Sequence, residues 1–204
     1  MTVLLFALAL GVQSSEAVAL NNTAVALAEK GEDVRALPVL RRALYLAPEA
    51  IEIAGNLASV QIRVGDAGDA APLVEWIFSR IQQRPDYRPW AYAVRAELRL
   101  FRKDVAGALA DARLAVEFAA GLDPFAQAAM RNLRGRAEQD AMLWQDAAED
   151  FKTAVALQGG EESARLAGYL ENWAVALRHI KGKGREASRL KRRARAMYRR
   201  FVGS

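Results

Sequence analysis

The stretch AVALNNTAVALAEKGEDVRALPVLRRALYLAP, Ala17 to Pro48, decides how this chain folds. Within it Ala24, Ala36 and Ala43 stand 12 and then 7 residues apart. The same intervals return at Ala58/Ala70/Ile77, Ala96/Ala108/Ala115 and Gly135/Ala147/Ala154, and a fifth copy, Ala174/Ala187/Ala194, is one residue longer. A small side chain is needed wherever two helices approach closely, so this self-similarity predicts stacked helix pairs. The first small residues of successive copies lie 34, 38, 39 and 39 residues apart, so only the first interval is tight.

Each copy reads as helix, turn, helix. In the first, helices are predicted over 17–30 and 33–46, separated by Lys30-Gly31-Glu32-Asp33, where Gly31 suits a left-handed C-cap and Asp33 can cap the next helix. The second covers 50–84 and repeats the turn as Gly65-Asp66. Pro38 and Pro72 each follow the small residue by two places, near the start of the second helix, where a first-turn N–H has no intrahelical acceptor to lose. The third copy, 89–120, turns at Arg102-Lys103-Asp104 without glycine. Asp123 and Pro124 read as an N-cap and first helical residue opening the fourth, 124–157, which Gly159-Gly160 ends. The fifth begins near Glu161 with a longer first helix, turns through Lys181-Gly182-Lys183-Gly184 and finishes in a basic helix reaching Phe201.

Composition agrees with an all-helical chain. The 204 residues are rich in Ala and Leu, and 52% are hydrophobic, which excludes a largely disordered chain. A second apolar run near twenty residues is missing, which excludes a polytopic membrane protein. With no cysteine there can be no disulfide, thiolate zinc site or cysteine-lipidated bacterial anchor. The net charge of +5 hides an asymmetry: from Arg178 onward eleven Lys/Arg face the single acid Glu186, which puts the body near −5 and the last 27 residues near +10. Such a basic end favours an anionic partner or head-to-tail self-contact.

Val3 to Val12, VLLFALALGV, is uninterruptedly apolar and precedes Gln13-Ser14-Ser15-Glu16. Residues 1–16 therefore read either as a secretory signal peptide or as an extra apolar N-terminal helix covering the first repeat. Ser15 and Ala17 supply small residues before a cleavage point, which favours an exported, periplasmic protein over a cytoplasmic one. No Lys or Arg precedes the apolar core, which counts against export. The stretch is too short to span a bilayer stably.

The chain resembles the tetratricopeptide repeat (TPR) family. Ala17–Pro48 carries the pattern in Leu20, Ala24, Leu27, Gly31, Ala36, Leu40, Ala43 and Pro48. Gly135, Trp144, Ala147, Phe151 and Ala154 match it nearly as well, and Asn172-Trp173-Ala174-Val175-Ala176-Leu177 resembles a first helix. The likeness covers 17–201, with 184–201 as a basic capping helix; it implies an all-α, right-handed superhelical solenoid of about five TPR-like helical hairpins. Spacings above 34 depart from the usual period, and other helical-hairpin solenoids are the alternative.

Residues with chemistry are sparse. His179 is the single histidine, and its neighbours Arg178 and Lys181 make it a poor base near neutral pH. A lone histidine builds no multi-histidine metal site. Gly182 and Gly184 lie beside bases but lack the strand–loop–helix context of a phosphate loop. Glu149-Asp150 and Glu161-Glu162 fall at helix starts or on outer faces, where capping or the macrodipole accounts for them. The sequence thus reads as non-catalytic, with neither cofactor nor metal. Among the tryptophans, Trp144 and Trp173 fall on packing places, Trp76 packs between repeats, and Trp90, after Pro89, is the one that could face a ligand.

In TPR proteins peptides commonly lie along the concave surface made by the first helices, and the resemblance implies the same groove here. Projected helical faces give Asn21 and Val25, Ser59 and Arg63, Trp90 and Glu97, Asn132 and Arg136, and Arg178 as candidate lining. The clamp for acidic chaperone C-termini needs a lysine and an asparagine on one first helix; Asn21 and Asn22 have no such lysine, so that partner does not fit. The leading reading is a non-catalytic adaptor or scaffold of the bacterial cell envelope that binds a protein or peptide segment. The alternative is a basic-ended module contacting nucleic acid or an anionic surface through Arg185, Arg189, Arg192, Arg193, Arg195, Arg199 and Arg200. A third reading is an accessory domain of a larger enzyme complex.

Overall fold

A computed structural model describes residues 2–160 and 162–201, with side chains from Ser15 to Arg200. Among the described residues there are ten α-helices and no strand. They are α1 (Thr2–Glu29), α2 (Asp33–Leu46), α3 (Ile51–Val64), α4 (Ala67–Phe78), α5 (Arg88–Phe101), α6 (Val105–Phe118), α7 (Pro124–Asp140), α8 (Trp144–Gln158), α9 (Ala164–Arg178) and α10 (Gly184–Phe201), with a 3-10 turn at Pro85–Tyr87. Paired in order they make five hairpins, in two compact units: Met1–Gln83 holds α1 to α4 and Arg84–Ser204 holds the rest. Helix α1 runs unbroken from Thr2 through residues 2–16 into the first repeat. No described helix is long and apolar enough to cross a membrane.

The small residues sit where helices meet. Ala24, Ala36, Ala43, Ala58, Ala70, Ala96, Ala108, Ala115, Ala147, Ala154, Ala174, Ala187 and Ala194 are all buried, as is Ile77. Gly135 shows why size matters, since a Cβ there would lie 2.7 Å from the Phe151 ring. Phe151 fills the space that the missing side chain leaves, and is itself fully buried.

Four of the turns within hairpins share one geometry. In each, a residue two or three places after the helix donates to a carbonyl five places back: Glu32 to Leu27, Asp66 to Gln61, Asp104 to Arg99 and Leu143 to Glu138, at 2.8–2.9 Å. The residue before it bonds three places back, completing a Schellman end. That geometry requires a positive φ, supplied by Gly31 (79°) and Gly65 (97°), but also by Lys103 (63°) and Met142 (60°). The glycine-free third turn therefore closes like the glycine turns, at the cost of a strained lysine.

Several expectations change. Asp33 does not cap α2; Glu32 is the N-cap, and Asp33 in the first turn pairs with Arg63 at 2.7 Å. Pro38 and Pro72 are each the sixth residue of their helix, so they leave the carbonyls of Val34 and Gly68 without an intrahelical donor. Val34, Pro38, Gly68 and Pro72 are all exposed, and water can take the vacated bond. Helix α9 starts at Ala164 and, with 15 residues, is not longer than α7 with 17; Glu161 lies outside the described residues. Asp123 caps α7 as expected, accepting from the Phe125 and Ala126 amides at 2.9 and 3.0 Å.

Candidate interaction surface

Within each unit, first helices that lie side by side are bridged by a polar side-chain pair. Between α1 and α3 the Asn56 amide donates to Asn21 Oδ1 at 2.9 Å. Between α7 and α9 the Asn172 amide donates to Asn132 Oδ1, also at 2.9 Å. Between α5 and α7, Arg136 reaches Glu97 at 3.9 Å. The two asparagine pairs occupy one repeat position: Asn21 and Asn132 stand three residues before Ala24 and Gly135, while Asn56 and Asn172 stand two residues before Ala58 and Ala174. All four amides are half-buried, so they are fixed in place without being lost to the core. An asparagine carries two donors and an acceptor oxygen with two lone pairs, and one bond per pair leaves capacity for a ligand.

Of the sequence candidates, Asn21 in the first unit and Glu97, Asn132 and Arg136 in the second each take part in a bridge within their own unit. Asn56 and Asn172 complete the bridges and were not among those candidates; their shared offset from the small residues is the signal that marks them. Val25 and Ser59 are half-buried on α1 and α3. Arg63 turns toward α2, where its guanidinium meets Asp33 with bonds of 2.7–3.1 Å. Trp90 is 38% exposed at the start of α5, and Arg178 is exposed in the last turn of α9.

A second polar feature is interior. Asp111, only 2% exposed, receives Arg95 at 2.7 and 2.8 Å and Arg99 at 2.8 Å. Asp150, 3% exposed, occupies the same place in the next hairpin and receives Arg131 and Arg134. Asp150 is thus no outer-face carboxylate: it faces the arginines of α7, whereas Glu149 stays exposed beside Lys152. Glu138 replaces in this hairpin what Arg99 is in the third, and its Oε2 is buried without a hydrogen-bond partner. Burial first, and the Asp150 charge second, push the Glu138 carboxyl up to about 7. The hydrogen bond from Arg134 to Asp150 raises the guanidinium above its already high value. These are groups that hold helices together, and among the described residues no His, Cys, Asp and Glu cluster could hold a metal ion.

The tryptophans divide differently from the sequence reading. Trp144 is half-buried rather than core, because it opens α8 and stacks on His179 with centroids 3.8 Å apart and planes 9° apart. Trp173 packs against the cluster that includes Phe151, Leu170 and Leu177. Trp76 is half-buried beneath Arg80, whose guanidinium lies 4.0 Å from the ring centre.

Comparison with solved structures shows what these hairpins are like. A structure of nearly identical kinesin light chain TPR-like repeats from Podosopora anserina aligns with a TM-score of 0.60 over 94% of this chain and 98% of that one, at 18% identity. A thermophilic TPR protein from Thermus thermophilus aligns at 0.60 over 89% and 98%, with 19% identity. The chain has the tetratricopeptide repeat fold. BtubC from P. vanneervenii, at 0.60 over 96% and 93% with 18% identity, is a further TPR-like neighbour. No family model and no curated protein matches the chain.

Proposed function

We propose that this TPR-fold protein is an interaction scaffold that receives a polypeptide segment on the first-helix faces of its units. The observation that carries this is the recurrence of Asn21–Asn56 and Asn132–Asn172 at one repeat position, on helices whose opposite sides are packed. A core bridge could be apolar; a half-buried amide pair with unused donors and acceptors suits the N–H and C=O groups of an extended chain. Glu97, Arg136 and Trp90 add charge and one aromatic surface in the second unit, which gives orientation and specificity. The TPR-like neighbours support the same class of role.

The test is capture from native extract at low and high salt, followed by affinity measurement for the partner recovered. A segment held by the first-helix face stays bound at high salt, because short-range amide contacts are screened little. Asn132→Ala with Arg136→Ala should then weaken binding while helicity by circular dichroism is unchanged. Unaltered affinity would place the partner on another surface.

A further inference from the structure

Helix α10 has two unlike faces. Ala187, Leu190, Ala194 and Met197 form a buried stripe against α9, in the cluster that contains Leu177 and Trp173. Arg185, Arg189, Arg192, Arg193, Arg195 and Arg199 lie on the other side and are all exposed. Around the helix Lys183 is held by Glu186 at 3.0 Å and Arg200 by Glu162 at 2.6 Å. Among the described residues no carboxylate pairs with any of those six arginines. Elsewhere most of the described arginines are paired, Arg41, Arg63, Arg80, Arg95, Arg131 and Arg136 among them, each within 3.9 Å of a carboxylate; Arg88, Arg102, Arg113 and Arg178 are single exceptions on separate helices or turns, not a row. Like charges three and four places apart repel, so the row opposes its own helix.

We propose that this arginine face binds the phosphate backbone of nucleic acid without reading base sequence. From Arg185 to Arg199 the helix rises about 21 Å, so six charges separated by five intervals fall about one every 4 Å, of the same order as the roughly 3.4 Å per phosphate of one strand. The residues are arginines, whose planar forks bond phosphate oxygens in pairs. A bilayer surface is the poorer occupant, because a helix that lies in a membrane interface needs its apolar face free, and this one spends it on α9. Tyr198 is half-buried against the same cluster, so the exposed row offers no aromatic platform for base stacking. The surface is independent of the first-helix faces.

The test uses the full chain and a labelled random-sequence duplex of about 20 base pairs, with anisotropy read from about 50 to 200 mM salt. Binding is expected to weaken about 10²–10³-fold over that range, the loss for four or five neutralised phosphates. Arg192→Gln/Arg195→Gln/Arg199→Gln should cut affinity at the low-salt end at least about tenfold and flatten the log–log salt slope by about three. Its thermal midpoint at low salt should equal or exceed the parent's, since repulsion is relieved. If that variant fails to fold, Arg185→Gln/Arg189→Gln is read in the same way. Absence of duplex binding at about 50 mM salt, or unaltered affinity in a folded variant, overturns the proposal. So does equal or tighter binding to phosphatidylserine vesicles or polyglutamate.

Discussion

Single residues carry much of the strain and of the pH sensitivity in this chain. Met142 and Lys103 adopt φ of 60° and 63°, where a side chain costs about 1–2 kcal/mol relative to glycine, and both are exposed. Met142→Gly removes that cost and loses little packing, against the larger backbone entropy of glycine in the unfolded chain. A net gain of about 0.5–1 kcal/mol is expected, read as a higher urea midpoint; a lower midpoint would show that Met142 makes contacts that matter. Glu138 works through its proton. Its folded carboxyl titrates at about 7 and its unfolded one near 4.5, so between these values the folded state binds more protons. The stability this lends is complete below about 4.5 and is lost as pH rises through about 7. Glu138→Gln should therefore be more stable than the parent above neutrality by about 1–3 kcal/mol, with the difference vanishing in acid. Parallel stability–pH curves for the two proteins would refute the assignment.

At the scale of elements, helix placement was legible because the small-residue rhythm reports directly on inter-helix distance. Ala147 and Ala36, chosen from that rhythm alone, are both fully buried, so Ala147→Phe and Ala36→Phe should each destabilise by about 1–3 kcal/mol or more through overpacking. Melting at the parent temperature for both would contradict the register. The helix ends were less legible. Asp33 carries the residue type of a cap but is drawn off by Arg63, thirty residues away in sequence, and local capping rules cannot see that competitor. The prolines mark the register correctly and their position within the turn wrongly, because exposure of α2 and α4 on that side lets the helix continue past them. Of the candidate surface, Asn21, Glu97, Asn132 and Arg136 were found by projecting faces. Their partners Asn56 and Asn172 were missed because single-helix projection ignores the neighbouring helix. Buried Asp111 and Asp150 escaped for the same reason, since a carboxylate on a helix reads as solvated until two arginines are seen to converge on it.

For the molecule as a whole, a repeat array has near-neighbour energetics: each hairpin is stabilised chiefly by the ones beside it, so a change at one end should fade with distance. Helix α10 is the terminal layer of the second unit, covering Leu170, Ala174 and Leu177 of α9 with Ala187, Leu190 and Met197. Leu190 and Met197 alone contribute about 1.5–3 kcal/mol each by burial. Deleting residues 182–204 removes that layer and leaves the apolar side of α9 facing water. Amide hydrogen exchange should then accelerate most in α9, less in α8, and remain near the parent rate in α1 and α2, which belong to the other compact unit. Because the arginine row leaves with the helix, loss of duplex binding in this truncation would say nothing about function by itself; the exchange pattern is the readout. Uniform acceleration from α1 to α9 would mean that the two units unfold as one cooperative block. Unaltered exchange in α9 would mean that the apolar stripe of α10 contributes no stability, and the capping role would fall.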